Sequence, residues 1–164
     1  MQRKLFIIRH GKSSWESIVS DIDRPLLERG VKNSYEMAAR LAERNLVPEL
    51  AMSSPANRAL HTAIIMAKVW EMNDQDLLIR KSLYLPEVDD IAETIFEVDD
   101  QVASVAIFGH NPGFTQFANR FLDPQIDNLP TAGIVVLTLE MDTWSDLFSA
   151  RIADTLFDYP KKYK

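Results

Sequence analysis

Leu5-Phe6-Ile7-Ile8-Arg9-His10-Gly11-Lys12-Ser13 is an apolar run that passes directly into basic residues, a glycine and a serine. Consecutive apolar residues suit a strand buried on both faces, as in a parallel sheet covered by helices. The pattern recurs later: Ser104-Val105-Ala106-Ile107-Phe108 runs into Gly109-His110-Asn111-Pro112. Helical and apolar segments alternate between these two stretches. The chain therefore reads as α/β: a three-layer α/β/α sandwich with a mostly parallel central sheet and an antiparallel edge strand.

Working outward, residues 25–44 predict a helix, with Leu27, Val31, Tyr35, Ala38, Leu41 and Ala42 at helical spacing and Gly30 as its weak position. Residues 50–53 predict a second strand. Ser54 and Pro55 then resemble an N-cap and a first-turn proline. The helix they open carries Ala59, Ala63, Met66, Ala67 and Trp70 on one face. A strand is expected at 77–80 and a helix at 88–98. Another helix is expected at 112–122, with Phe114, Phe117, Ala118 and Phe121 inward. Residues 134–139 and 148–153 read as an antiparallel hairpin turning near 142–146, and residues 160–164 as a solvated tail.

The 164 residues suit one domain spanning 1–164, and 46% hydrophobic with 26% charged residues is a globular balance. A net charge of -6 disfavours nucleic acid and anionic membranes as partners. The absence of cysteine excludes disulfides, thiolate catalysis and sulfur-ligated zinc. The opening apolar run is too short for a signal-peptide core or a membrane span, so a cytoplasmic location is expected.

Ligand sites in open α/β sheets form beyond the carboxyl ends of the strands. Arg9 and His10 follow the first strand, His110 follows the central one, and Arg58 opens the helix after the second. Together they form a phosphoryl-handling set. Arginine forks bind phosphoryl oxygens and stabilise transition-state charge, while a neutral imidazole can attack phosphorus in line. Gly11 would let backbone approach the phosphate, Ser13 would donate a hydroxyl, and Asn111 completes the candidate substrate-binding residues. Neither a metal nor an organic cofactor is expected.

These residues carry a resemblance spanning almost the whole chain. Residues 5–13 resemble the R-H-G-x-[ST] nucleophile motif of the histidine phosphatase superfamily, whose fold is phosphoglycerate mutase-like. Residues 53–63 resemble its S-x-x-x-R-A-x-Q-T-A segment, and Gly109-His110-Asn111-Pro112 its second-histidine motif. The resemblance implies His10 as nucleophile, with Arg9, Arg58 and His110 completing the phosphate pocket. His61 stands where the family pattern has glutamine and is expected to pack near the site. No carboxylate aligns firmly with the family's proton donor. Glu87, Asp21 and Asp23 are the candidates, with none as the fourth possibility.

A site without a general acid suits a phosphoramidate better than an alkyl phosphate, because imidazole leaves more easily than alkoxide. The short chain, Asp23-Arg24-Pro25-Leu26 and Leu129-Pro130-Thr131-Ala132-Gly133 resemble the protein phosphohistidine phosphatase branch. Thr131 is either a pocket residue or a turn residue. The expected partner is a phosphohistidine protein or a small phosphorylated substrate. Three alternatives compete: a small-metabolite phosphomonoesterase using the same site, a non-catalytic phosphate-binding module, and a metal hydrolase built on His10, His61 and His110.

Overall fold

The computed structural model describes residues 1–16 and 18–163. Its strands are β1 (Gln2–Arg9), β2 (Leu50–Ser53), β3 (Leu77–Ile79), β4 (Ser104–Gly109), β5 (Ile134–Glu140) and β6 (Arg151–Asp158). Its α-helices are α1 (Glu28–Glu43), α2 (Asn57–Val69), α3 (Val88–Phe96) and α4 (Gly113–Ala118). Among the described residues the strands form one sheet, in the order β3-β2-β4-β1-β5-β6. Neighbours from β3 to β1 pair in parallel, whereas β5 runs antiparallel to both β1 and β6.

The apolar runs alternate between two faces, as the period of a strand requires. Leu5, Ile7, Val105 and Ile107 point toward one layer, where Ile91, Ile95, Phe114, Phe117 and Trp144 pack. Phe6, Ile8, Ala106 and Phe108 point toward the other, against Met37, Leu41, Ala63, Met66 and Trp70. All eight strand residues are 0% exposed, so this part of the sheet is covered on both sides. The sandwich is the expected one, with two antiparallel pairings at one edge.

Several local expectations are corrected. The helix predicted from residue 25 begins at Glu28. Residues 25–27 are instead held against the loop that follows β1: Ser14 N–H donates to Pro25 O at 2.9 Å, and Leu27 N–H to Lys12 O at 2.8 Å. The inward face of α1 is also rotated. Gly30, Ser34, Met37, Ala38 and Leu41 are buried, while Tyr35 is 43% exposed. Gly30 causes the rotation, because a Cβ there would lie 2.2 Å from Lys12 O. The weak position in the helix is its contact point with the loop.

Ser54 does not cap α2; Ala56 occupies that position, and Ser54 Oγ accepts Ala56 N–H at 3.1 Å. The helix expected to 122 ends at Ala118, where Asn119 turns its amide to the Ile126 backbone through bonds of 2.8 and 2.9 Å. The second hairpin strand begins at Arg151, not 148. Residues 144–149 form a 3₁₀ turn that buries Trp144 and Leu147 against the core and leaves Phe148 45% exposed. In the expected tail, Pro160 is buried and its carbonyl accepts from Arg40 Nη2 at 2.9 Å; Lys164 lies outside the described residues.

The contact at Gly30 opposes helix propensity to packing. Gly→Ala inside a helix gains about 1 kcal/mol, whereas overpacking a tight contact costs about 1–3 kcal/mol. The clash is with backbone, so packing wins. Gly30→Ala should lower the urea midpoint at unchanged m-value, a net loss of stability of up to about 2 kcal/mol. Tyr35→Ala should stay within about 0.5 kcal/mol. A stabilised Gly30→Ala protein would contradict this account of the loop contact.

Candidate active site

The geometry begins with strand register. β1 and β4 are adjacent and parallel, with Arg9 opposite Gly109 at their carboxyl ends. The next residue on each strand is a histidine, and their ring centroids lie 5.3 Å apart. On the other side of β4, β2 ends at Ser53 opposite Phe108, and Ser54 follows it. The chain then enters α2, whose second residue, Arg58, is 3% exposed.

These elements surround a cavity of ≈ 250 Å³ lined by Arg9, His10, Lys12, Ser13, Trp15, Asp21, Arg24, Arg58, Leu85, His110, Asn111 and Thr131. Four of these residues are basic and one is acidic, so the cavity is cationic inside a chain of net charge -6.

The environment of His10 sets its chemistry. Its Nδ1 lies 2.7 Å from Gly11 O, and a carbonyl can only accept, so Nδ1 carries the proton. The lone pair is left on Nε2. Burial holds the imidazole's pKa down to about 3, with Arg9, Arg58 and Arg24 adding to the effect against the Gly11 carbonyl. His110 is likewise held at about 3, first by burial and then by His10. Both rings are neutral at neutral pH.

The arginines are fixed from behind. Arg9 Nη1 donates to Leu129 O at 3.0 Å, and Arg58 donates to Asp21 O at 2.7 Å and Asp21 Oδ2 at 3.1 Å. His110 Nε2 meets Ser54 Oγ at 2.7 Å. Among the described residues, the buried side-chain nitrogens without a partner are Arg3 Nε, Arg9 Nε, Arg58 Nε and His110 Nδ1. The last three belong to residues lining the cavity. Buried polar groups are ordinarily satisfied, and three of these four nitrogens belong to residues that line one cationic cavity.

Arg9, His10, Arg58 and His110 thus come together as the sequence predicted. Ser13 is beside them, buried, with its Oγ accepting from Arg24 Nη2 at 2.6 Å. Gly11 and Asn111, the latter in the cavity lining, are both bonded to other segments. Gly11 N–H is taken by Thr62 Oγ1 at 2.9 Å, and a Cβ on Gly11 would lie 2.8 Å from Gly30 O. The Asn111 amide reaches Leu129 O and Asn128 Oδ1, and its oxygen accepts from Thr115 N–H and Oγ1. Thr131 lines the cavity.

Of the candidate proton donors, Asp21 alone lines the cavity. The Tyr84 hydroxyl at 2.6 Å, with Arg24 and Arg58, holds its pKa down to about 2, so it is ionised. Asp23 accepts from Ser20 Oγ at an exposed position. Glu87 is the N-cap residue of α3, with its N–H on Asp90 Oδ2 at 2.9 Å. His61 is exposed on α2 and does not line the cavity, so the three histidines do not converge. Among the described residues no group of three or more His, Asp or Glu side chains is placed to hold a metal ion.

Sequence reasoning missed Arg24, Ser54 and Tyr84. Arg24 is 7% exposed and donates to Ser14 O, Ser13 Oγ and Asp21. Arg24 stands within Asp23-Arg24-Pro25-Leu26, and Ser54 is the serine of the S-x-x-x-R segment that ends at Arg58, so both carried a signal. Tyr84 has none, because it reaches the site from a different segment.

The family model of the histidine phosphatase superfamily (branch 1) matches residues 5–83. An uncharacterised chloroplastic protein of Arabidopsis thaliana is 26% identical over 158 residues, covering 91% of this chain and 72% of that one. The fold matches protein histidine phosphatase SixA, solved with tungstate, at a TM-score of 0.79 and 21% identity over 98% of this chain and 99% of that one. It also matches mycobacterial glucosyl-3-phosphoglycerate phosphatase at a TM-score of 0.65 and 17% identity, over 96% and 97%. No described helix is long and apolar enough to cross a membrane. The amino-terminal half of the chain, with the motif at the end of β1, is thus similar to branch 1 of the histidine phosphatase superfamily, and the whole architecture matches the solved SixA fold.

Proposed function

We propose that the chain is a phosphatase that transfers a phosphoryl group to His10 and then to water, with a phosphohistidine-bearing protein as substrate. The observation that carries this reading is the Nδ1–H bond to Gly11 O, which leaves a neutral imidazole with its lone pair on Nε2 beside the arginines. In the first step Nε2 forms a bond to phosphorus as the bond to the leaving group breaks. Arg9 and Arg58 hold the equatorial oxygens, and His110 lines the same cavity. In the second step water attacks phosphorus, the P–Nε2 bond breaks, and the water's proton leaves with phosphate or solvent.

The leaving group supports the choice of substrate. Ionised Asp21 has no proton to give, and Glu87 is occupied at a helix start. A phosphorylated imidazole can arrive protonated on its other nitrogen, since its ordinary pKa is about 6.5, and leave neutral. An alkoxide needs a donor this site does not offer. Similarity to SixA, described as a protein histidine phosphatase, points the same way.

His10→Ala should abolish turnover and the acid-labile phosphoenzyme formed from labelled substrate, while still binding inorganic phosphate. Arg58→Lys should lower kcat by about 10²–10³, since the fork geometry is lost. A His10→Ala protein of normal activity sinks the mechanism. Faster turnover of sugar phosphates than of a phosphohistidine peptide replaces the substrate with a small metabolite.

Asp21→Asn tests the missing acid. It should lower kcat/KM through its hold on Arg58 and Arg24 without moving the alkaline limb of the pH profile. A shifted alkaline limb would identify Asp21 as the proton donor.

The imidazoles also set a pH dependence. Between pH 6.5 and about 3 the unfolded histidines bind protons that the folded ones refuse. Stability therefore rises with pH over this window and falls on acidification, by on the order of 1 kcal/mol per pH unit for each ring. Asp21 acts in the same direction but lower, its contribution being lost as pH falls through about 2. Nitrogen-15 NMR should find His10 neutral, with the proton on Nδ1, from pH 7 to 5; titration near 6.5 is the contrary result.

A further inference from the structure

Two apolar side chains line a cavity whose other walls are mostly polar. Trp15 is 77% exposed and Leu85 55% exposed, whereas His10, Arg24, Arg58 and His110 are each at most 7% exposed. The buried residues make the floor, and Trp15 and Leu85 stand at the solvent end. A phosphoryl group seated on the floor would direct its leaving group between them.

Both apolar groups are held in place. The Arg24 guanidinium carbon lies 3.4 Å from the centroid of the Trp15 ring. Arg24 is itself fixed by Ser14 O, Ser13 Oγ and Asp21, so the ring rests on an anchored cation. Leu85 sits at φ 44, a left-handed conformation that leucine rarely adopts. Its neighbours fix it there: Tyr84 is bonded to Asp21 at 2.6 Å, and Pro86 is buried.

We propose that Trp15 and Leu85 form a leaving-group subsite that takes a planar, apolar-faced group such as the imidazole ring of a phosphorylated side chain. This rests on the phosphatase reading above and deepens it by naming what selects the substrate. The Trp15 ring stacks on the leaving group, backed by Arg24, and Leu85 contacts it from the neighbouring wall. A polyhydroxylated leaving group would lose water at these two walls without gaining hydrogen bonds there.

The test uses non-hydrolysable phosphonates, so binding is read apart from turnover. Trp15 lines the cavity whereas Trp70 and Trp144 do not, so a ligand-dependent change in tryptophan fluorescence that Trp15→Phe removes reports on this subsite. Phenylphosphonate should bind about threefold to tenfold more tightly than methylphosphonate and quench this fluorescence. Trp15→Ala should bring the two affinities together, and Trp15→Phe should restore most of the preference. The same variants should change the ratio of KM for a phosphohistidine peptide to KM for phosphoramidate, whose leaving group has no ring. Equal affinities for the two phosphonates in the unmodified protein overturn the subsite while leaving the phosphatase reading intact. If neither phosphonate nor inorganic phosphate binds, the phosphate site itself is wrong and the subsite falls with it.

Discussion

The level termination of β1 and β4 is the constraint on which the site depends. Parallel pairing puts Arg9 opposite Gly109, and the residue after each is a histidine whose ring lies 5.3 Å from the other. A slip of one residue in either strand would exchange the side chains that face its two cores. Phe6, Ile8, Leu5 and Ile7 fix the register of β1, since all are fully buried and belong to two different cores. The packing that specifies the sheet therefore also aligns the imidazoles.

Concentrating cations in an acidic protein requires a local counter-charge. Asp21 supplies it by accepting from Arg24, Arg58 and the Tyr84 hydroxyl together. The carboxylate orients two arginines and is itself kept ionised by them and by Tyr84. Arg3, also buried, lies elsewhere: its guanidinium donates to Val102 O at 2.7 Å and Asp142 O at 2.6 Å and faces Trp144. Arg3 fastens loops, whereas Arg58 is held by Asp21 beside the cavity.

The site carries a cost in stability that the rest of the fold offsets. Its two neutral imidazoles and orphaned nitrogens are worse placed in the folded chain than in water at low pH. Tight backbone contacts at Gly11 and Gly30 hold the loop after β1 against α1 and leave it little room to relax. Such rigidity suits the proposed chemistry, in which positioned charge does most of the work.

Local sequence determined the strands that hold the site, because a continuous apolar run has few alternatives to a doubly covered strand. It also marked Arg9, His10, Arg58 and His110, whose types match phosphoryl chemistry and whose positions follow predicted strand ends. Tertiary structure decided the rest. Residues 25–27 stay extended because they pair with the loop after β1, and the inward face of α1 turns to Gly30 for the same reason. Gly11 and Asn111 gained partners, and Arg24, Ser54 and Tyr84 joined the site, through bonds between segments far apart in the chain. Local periodicity records which side a residue faces; only the packed chain decides which distant side chain it meets there.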